Sequence, residues 1–313
     1  MSSHKVTVFG GSGFLGRHLV QRLAADGHAV RVAVRNIEAA RFLKPLGDPG
    51  QIVITAADIN NEPSVAAAVA GAQAVVNLVG ILWQRGGKTF NRVHVEGAAA
   101  VARAAHAAGA QRLVHVSAIG ADEESASEYA RTKATGEKAV IEAFPGASIV
   151  RPSVVFGHED NFFNLFAGMA MISPVLPVFG NAKFQPVYVG DVAEAITKIL
   201  ADPATGGKTY ELGGPTVYTY REIMELLLKQ IARRRLLVPA PLALAMVNAW
   251  FLEKMPTPLL TRDQVRLLAK DNVVGKKALS FKALGMTPTS AEAILPLYLH
   301  HYRPQAEQCL RTA

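Results

Sequence analysis

Near the amino terminus, Val6-Thr7-Val8-Phe9 runs directly into Gly10-Gly11-Ser12-Gly13-Phe14-Leu15-Gly16. An apolar strand that meets glycines at 10, 11, 13 and 16 and then opens a helix leaves few options for the fold. Glycine serves three purposes in such a turn: a tight reversal, close backbone approach to a pyrophosphate, and close packing of helix on strand. The helix that follows aims its first N–H groups at the phosphates. The spacing alone is common; what gives it value is its place between the first strand and first helix of an alternating series. Gly10, Ser12, Gly13, Phe14, Leu15, Gly16 and Arg17 are therefore expected to bind a dinucleotide.

The series continues. Apolar runs predict strands over 5–9, 29–34, 52–55, 74–79, 112–117 and 147–151, with helices over 14–26, 97–108 and 128–144 between them. A seventh strand is expected at 186–189, before a helix at 192–201. Alternation of this kind reads as α/β: a Rossmann-type doubly wound parallel sheet with a smaller, mostly helical C-terminal cap. The expected division is a nucleotide domain at 1–155, to which 184–203 return, and a cap or docking region at 204–313, with 156–183 contributing to the cap.

Which dinucleotide binds is read at the end of the second strand. An acid there would bridge the adenosine ribose hydroxyls and select NAD. The residue nineteen positions after Gly16 is instead Arg35, whose guanidinium suits a 2′-phosphate, so NADP(H) is the expected cofactor. Asp58 and Ile59, after the third strand, are expected at the adenine edge. Leu78, Val79 and Gly80, after the fourth, are expected beneath the adenosine and ribose.

Tyr129-Ala130-Arg131-Thr132-Lys133 sets a phenol and an ammonium at i and i+4 on one helix face. In hydride-transfer chemistry the phenol gives a proton to a forming alkoxide, and the lysine depresses the phenol's pKa and holds the nicotinamide ribose. Ser117 can polarise the carbonyl. His94, His115, His300 and His301 have no metal spacing with carboxylates, and His115 alternates with Val114 and Val116; all four read as core or surface histidines, and no metal is expected. Asp122-Glu123-Glu124 reads as a solvated loop.

The charge balance is local. The chain carries 33 basic and 25 acidic residues, and the segment 229–282 alone holds eleven Lys/Arg against three acids, which is the whole formal +8. No helix-turn-helix, RRM or Cys/His signature accompanies it, so nucleic acid is not an expected partner. Inside that segment lies an uncharged run, 236–252, broken by Pro239, Pro241 and Asn248 and short of the roughly 20 apolar residues that a transmembrane span needs. Basic flanks about an apolar stretch with Trp250 and Phe251 fit an acidic partner subunit or anionic lipid headgroups; a plain packed helix is the alternative. Cys309, the one cysteine, leaves no internal disulfide and no Cys-based zinc site and fits a reducing compartment. With no leader pattern ahead of the first strand, the expected location is cytoplasmic, peripheral on the cytoplasmic face of the inner membrane.

The motifs together resemble the short-chain dehydrogenase/reductase superfamily in its extended and atypical branches. The residues that carry the likeness are GGSGFLG (10–16), Ser117, YARTK (129–133), IVRPSVVFG (149–157), PVYVGDVA (186–193) and YELGGP (210–215), in the expected order. The resemblance implies that Arg151, Pro152 and Val154 lie beside the nicotinamide and that Asp191 caps a helix. Within the superfamily the chain is most similar to the nucleotide-binding accessory subunits of respiratory complex I and their bacterial relatives, through Ser117-Ala118-Ile119-Gly120-Ala121, YARTKATGE (129–137) and the stretch 257–274. There the nucleotide is held structurally, which implies that Ser117, Tyr129 and Lys133 are vestigial as a catalytic set. Two departures from the extended enzymes bear on this: only twelve residues separate Ser117 from Tyr129, and Leu78-Val79-Gly80 stands where Asn-Ala-Gly is usual. The expected function is thus an NADP(H)-binding accessory subunit of complex I. The rivals are a free NADP-dependent oxidoreductase, epimerase or dehydratase, and a nucleotide-sensing regulator without turnover.

Overall fold

The computed structural model describes residues 4–304, so Cys309 lies outside the described residues. In chain order the first elements are β1 (Lys5–Phe9), α1 (Phe14–Ala25), β2 (Ala29–Val34), β3 (Ile52–Ala56), α2 (Glu62–Val69), β4 (Ala74–Asn77), α3 (Gly97–Ala107), β5 (Arg112–Val116), α4 (Glu128–Ala143) and β6 (Ser148–Pro152). All strands of the sheet they form run parallel, in the order β3-β2-β1-β4-β5-β6 followed by Thr209–Leu212 at the edge. Strand order reverses between β1 and β4, which places the crevice of a doubly wound sheet at their carboxyl ends.

Short apolar runs buried on both faces explain the strands: Val6, Val8, Val30, Val32, Val75, Val76 and Val114 are all fully enclosed. One face of the sheet packs on α2, α3 and α4 through Val65, Val101, Leu113, Val140 and Ile149. Alanine dominates α3, where Ala98, Ala102 and Ala105 let the helix approach closely. Helix α1 buries Leu19, Val20 and Leu23, and its Arg22 pairs at 3.6 Å with Glu194 of the helix Val189–Ala201.

The described residues divide into two compact units: 4–152, 190–212 and 276–286 form the first, and 153–189, 213–275 and 287–304 the second. The strand expected at 186–189 is two residues long, Val187–Tyr188, and pairs with Val155–Phe156 inside the second unit. The seventh strand of the main sheet is instead Thr209–Leu212, inside a segment expected to belong to the cap. Its alternation, with Tyr210 and Leu212 buried, is too short to stand out from the loops around it. The helix Val189–Ala201, with Asp191 in its first turn, lies in the first unit from Gly190 onward.

The second unit is more than helices. Its core gathers Phe156, Phe163, Tyr220, Leu227, Leu295 and Tyr298, with the Tyr298 hydroxyl donating at 2.5 Å to Asp160. The apolar run 236–252 is split at its prolines into a strand, Leu236–Ala240, and a helix, Leu242–Leu252; the strand pairs in parallel with Val175–Phe179. Of that helix only Ala245 and Ala249 are buried; Trp250 and Phe251 are 43% and 60% exposed. Among the described residues no helix is long and apolar enough to cross a membrane.

Candidate nucleotide site

Each glycine of the turn has a separate duty. Gly10 sits at φ +77°, where only glycine is comfortable, and its N–H donates to Ala33 O at 3.3 Å. Gly16 is packed so tightly that a Cβ there would stand 2.3 Å from Gly10 O. Gly13 is exposed, with nothing but Gly10 O, at 3.3 Å, near the place of an added Cβ. It is also the N-cap of α1, where no side chain caps the helix and no acid occupies the first turn. The N–H groups of a helix start left without a side-chain cap, flanked by half-buried Ser12, Phe14, Leu15 and Arg17, make an anion cradle. This is the shape and polarity that a pyrophosphate requires, so the residues present fit a dinucleotide.

The loop after β4 closes onto this turn. A Cβ on Gly10 would meet Val79 Cγ2 at 3.3 Å and Leu78 C at 3.4 Å, and Leu78 N–H donates to Phe9 O at 3.0 Å. A Cβ on Gly80 would meet Lys133 Nζ at 3.7 Å and His94 Nε2 at 3.8 Å. Glycine turn and β4 loop are therefore neighbours, as are the β4 loop and Lys133 of α4. Beyond the turn, the Arg17 guanidinium lies 4.9 Å over the Phe42 ring, in the short 3₁₀ stretch Glu38–Leu46 that follows exposed Arg35. The sequence gives no sign of this Arg17–Phe42 contact, because a lone aromatic in a loop carries no signal of its own.

Other expected contacts are placed differently. Asp58 Oδ1 accepts from the backbone and side chain of Asn60, at 3.0 and 3.1 Å, which ties up one carboxylate oxygen in a turn. The Ile59 side chain is buried where a Cβ on Gly97 would collide with it at 2.6 Å, so only its backbone remains to face an adenine. Arg151 points its guanidinium at Glu137 of α4, at 2.6 and 2.9 Å, and at Glu211, at 3.4 Å. These bonds, chiefly that to Glu137, raise its pKa and commit it to holding β6, α4 and the edge strand together. Pro152 O accepts from Ile119 N–H at 3.0 Å, and Val154 belongs to the second unit.

The Tyr–Lys pair shares a helix face, yet its electrostatics depart from expectation. Burial pushes the Tyr129 phenol up to about 12, with no offset from the ammonium. Lys133 is brought down to about 8 by burial, opposed by Glu137, and its Nζ donates to Val116 O at 2.9 Å. The lysine thus spends one of its three donors on the backbone of β5, and burial is what raises the phenol. Ser117 Oγ, Asn77 Nδ2 and both ring nitrogens of His115 are buried at the ends of β4 and β5 without a hydrogen-bond partner among the described residues. His115 is the core histidine expected, and burial lowers its pKa far enough to keep it neutral. His94, read from the sequence as core or surface, is buried beside Tyr129, with their ring centroids 5.3 Å apart. The Asp122-Glu123-Glu124 loop is exposed, and Glu123 pairs with Lys138. Among the described residues no group of His, Cys, Asp and Glu has metal-binding geometry.

The model of the NmrA-like family matches residues 2–250, four fifths of the chain. The chain belongs to the NmrA-like family. This NmrA-like chain is 36% identical over 98% of its length to the NADH-ubiquinone oxidoreductase 40 kDa subunit of Neurospora crassa, covering 81% of that protein. It is 38% identical over 95% to the NADH dehydrogenase [ubiquinone] 1 alpha subcomplex subunit 9 of Arabidopsis thaliana, covering 77% of it. Both are named as mitochondrial. A ceramide reductase of Caulobacter vibrioides is 34% identical over 78% of the chain, which covers 78% of that enzyme. Among solved structures, the NADP(H) complex of Citrobacter sp. triphenylmethane reductase superposes with a TM-score of 0.75 at 19% identity, over 94% of this chain and 99% of that one. The UDP-glucose 4-epimerase of Thermus thermophilus, in complex with NAD, gives 0.67 at 20%, over 96% and 99%. At those identities the NmrA-like chain shares their Rossmann-type fold.

Proposed function

We propose that this chain is a peripheral accessory subunit of a complex I-type NADH:ubiquinone oxidoreductase and holds NADP(H) without turning it over. The observation that carries the reading is similarity over 98% and 95% of this chain, at 36% and 38% identity, to proteins named as subunits of that enzyme. The site supports the second half: a phenol pushed up to about 12 and a lysine bonded to Val116 O are arranged to hold a ligand more than to shuttle a proton. The cradle at Gly13 would hold the pyrophosphate, the β4 loop the adenosine, and Lys133 and Tyr129 the nicotinamide ribose. A bound nicotinamide would bring hydride chemistry to this place.

NADP over NAD rests on Arg35 and on Arg17 above Phe42. A lost charge-assisted phosphate contact costs about 1.5–3 kcal/mol, so Arg35→Ala is expected to weaken NADPH about tenfold or more and NADH little. Calorimetry with both nucleotides checks this; equal losses would mean that no 2′-phosphate sits there.

Docking is assigned to 229–282, on the cytoplasmic face of the inner membrane, with Trp250 and Phe251 toward anionic headgroups beside the partner subunits. Support comes from the helix Leu242–Leu252, which buries two alanines and exposes its large side chains, and from Lys254 Nζ 3.5 Å over the Trp250 ring. Arg233 and Arg235 are spent on backbone carbonyls, those of Tyr302 at 2.8 Å and Ala170 at 2.7 Å, so they are poor choices for a charge test. The paired change Val247→Glu with Phe251→Glu is expected to abolish co-purification with the membrane enzyme and flotation with anionic vesicles while leaving NADPH binding intact. Wild type that neither floats nor co-purifies at fixed stoichiometry would overturn the docking assignment.

One observation favours a second reading, a free NADP-dependent reductase: the similarity to a ceramide reductase over most of the chain. On that reading Tyr129→Phe cuts NADPH oxidation against carbonyl substrates roughly 10²–10⁴-fold, whereas on the preferred one there is no such activity to lose.

A further inference from the structure

His94 lies in Asn91–Glu96, which is wound as a π-helix and runs into α3 at Gly97. A π-turn of this kind, with i→i+5 hydrogen bonds, is rare and is found frequently at functional sites. Here its backbone is pressed against α4: a Cβ on Gly136 would stand 1.9 Å from His94 O. The imidazole is 1% exposed and both ring nitrogens are used. Nε2 accepts the Ile81 N–H at 3.1 Å, and Nδ1 lies 3.1 Å from Thr132 Oγ1. An amide N–H can only donate, so Nε2 is bare and the neutral ring carries its proton on Nδ1. Nδ1–H then donates to Thr132, whose own hydroxyl points back to the Glu128 or Tyr129 carbonyl, at 2.9 and 3.0 Å. Burial, with the Lys133 charge second, holds the imidazole down to about 3, so this pattern is fixed at any working pH.

The ring stacks on Phe90 at 5.3 Å, and the Tyr129 ring stands edge-on to both, 5.3 Å from His94 and 5.9 Å from Phe90. Ile81 follows Gly80 in the loop that closes the nucleotide crevice, and Thr132 lies between Tyr129 and Lys133. One side chain thereby ties the floor of the crevice to the helix that carries the pair. We propose that His94 is a positioning residue of the nucleotide site, clamping the β4 loop to α4 and so fixing where Lys133 and Tyr129 stand relative to the bound ribose. The inference rests on the NADP(H) reading above.

The reach of the side chain supplies the test. In the full-length protein, His94→Gln can set its amide oxygen near the place of Nε2 and keep the Ile81 bond. His94→Asn reaches only the place of Nδ1, and His94→Phe keeps the stack but leaves the Ile81 N–H unpaired. Titration with NADPH is expected to show His94→Gln within about threefold of wild type and the other two weaker by about tenfold or more, as loss of a buried hydrogen-bond partner implies. Melting without nucleotide is measured alongside. If all three variants that fold bind NADPH as wild type does, whatever they lose in melting temperature, His94 is only a core residue. If His94→Phe does not fold, the Gln–Asn contrast decides, and equal affinities for those two would overturn the clamp. Wild type that binds no NADPH would overturn the cofactor reading itself, a different failure from a wild type that binds alongside unchanged variants.

Discussion

Gly13→Val abolishes NADPH binding and leaves the apo fold standing; that is the largest functional effect expected of any single change. Gly13 lies at φ −75°, so its backbone asks for no glycine, and its added Cβ meets only Gly10 O, at 3.3 Å. What the valine occupies is the open side of the cradle, where a phosphate needs the α1 N–H groups within hydrogen-bond reach. Losing that approach is expected to raise Kd at least about a hundredfold, some 2.7 kcal/mol. The apo melting temperature falls only modestly: no side-chain cap bond is lost, and exchanging glycine for the less favoured valine at an N-cap costs about 1 kcal/mol. Gly16→Val is the internal contrast: its Cβ would stand 2.3 Å from backbone and the protein should not fold. Calorimetry and thermal melting of the purified variant check the first claim, and nucleotide retained by Gly13→Val would move the cofactor elsewhere.

Among changes that still leave a folded protein, Gly136→Ala carries the largest expected effect on stability. By helix propensity alone it should stabilise α4 by about 1 kcal/mol. Instead the methyl would lie 1.9 Å from His94 O and 2.9 Å from His94 C, both backbone, and α4 must part from the π-turn to admit it. Overpacking against an unyielding neighbour costs about 1–3 kcal/mol and occasionally more, so a net loss of roughly 2 kcal/mol is expected. For a chain of this size that is a fall in melting temperature of on the order of 5 °C. A variant as stable as wild type, or more so, would show that α4 and the π-turn are not in contact there.

The nucleotide half of the fold is legible in the sequence because its determinants are local. Glycine spacing, apolar strand runs and glycine or proline stops place β1 to β6 and α1, α3 and α4 within a residue or two of their ends. The Tyr129–Lys133 face needs only the helical period. What the sequence hides depends on contacts distant along the chain or on weak local signals. The motif assigns Arg151 to the nicotinamide, but Glu137 and Glu211 claim it, and no spacing links those three. His94 looks like any buried histidine, since a π-turn has no periodic signature. Thr209–Leu212 and Leu236–Ala240 escape detection as strands because each is short and bounded by prolines or glycines that read equally well as loop.

The outer strand of the main sheet has a consequence for how the polypeptide can be shortened. Thr209–Leu212 would offer a row of bare amides to any passing chain were it not for a segment some seventy residues later: Tyr210 bridges to Leu279, and Glu211 N–H donates to Leu279 O at 2.8 Å. Residues 276–286 belong to the first unit although they follow most of the second. Ending the chain before 276 therefore strips a protective flank from an open β edge, the usual starting point for aggregation. During synthesis the same edge stays unguarded until that stretch emerges. Expression of the Rossmann portion alone should accordingly yield self-associating material unless 276–286 are grafted back.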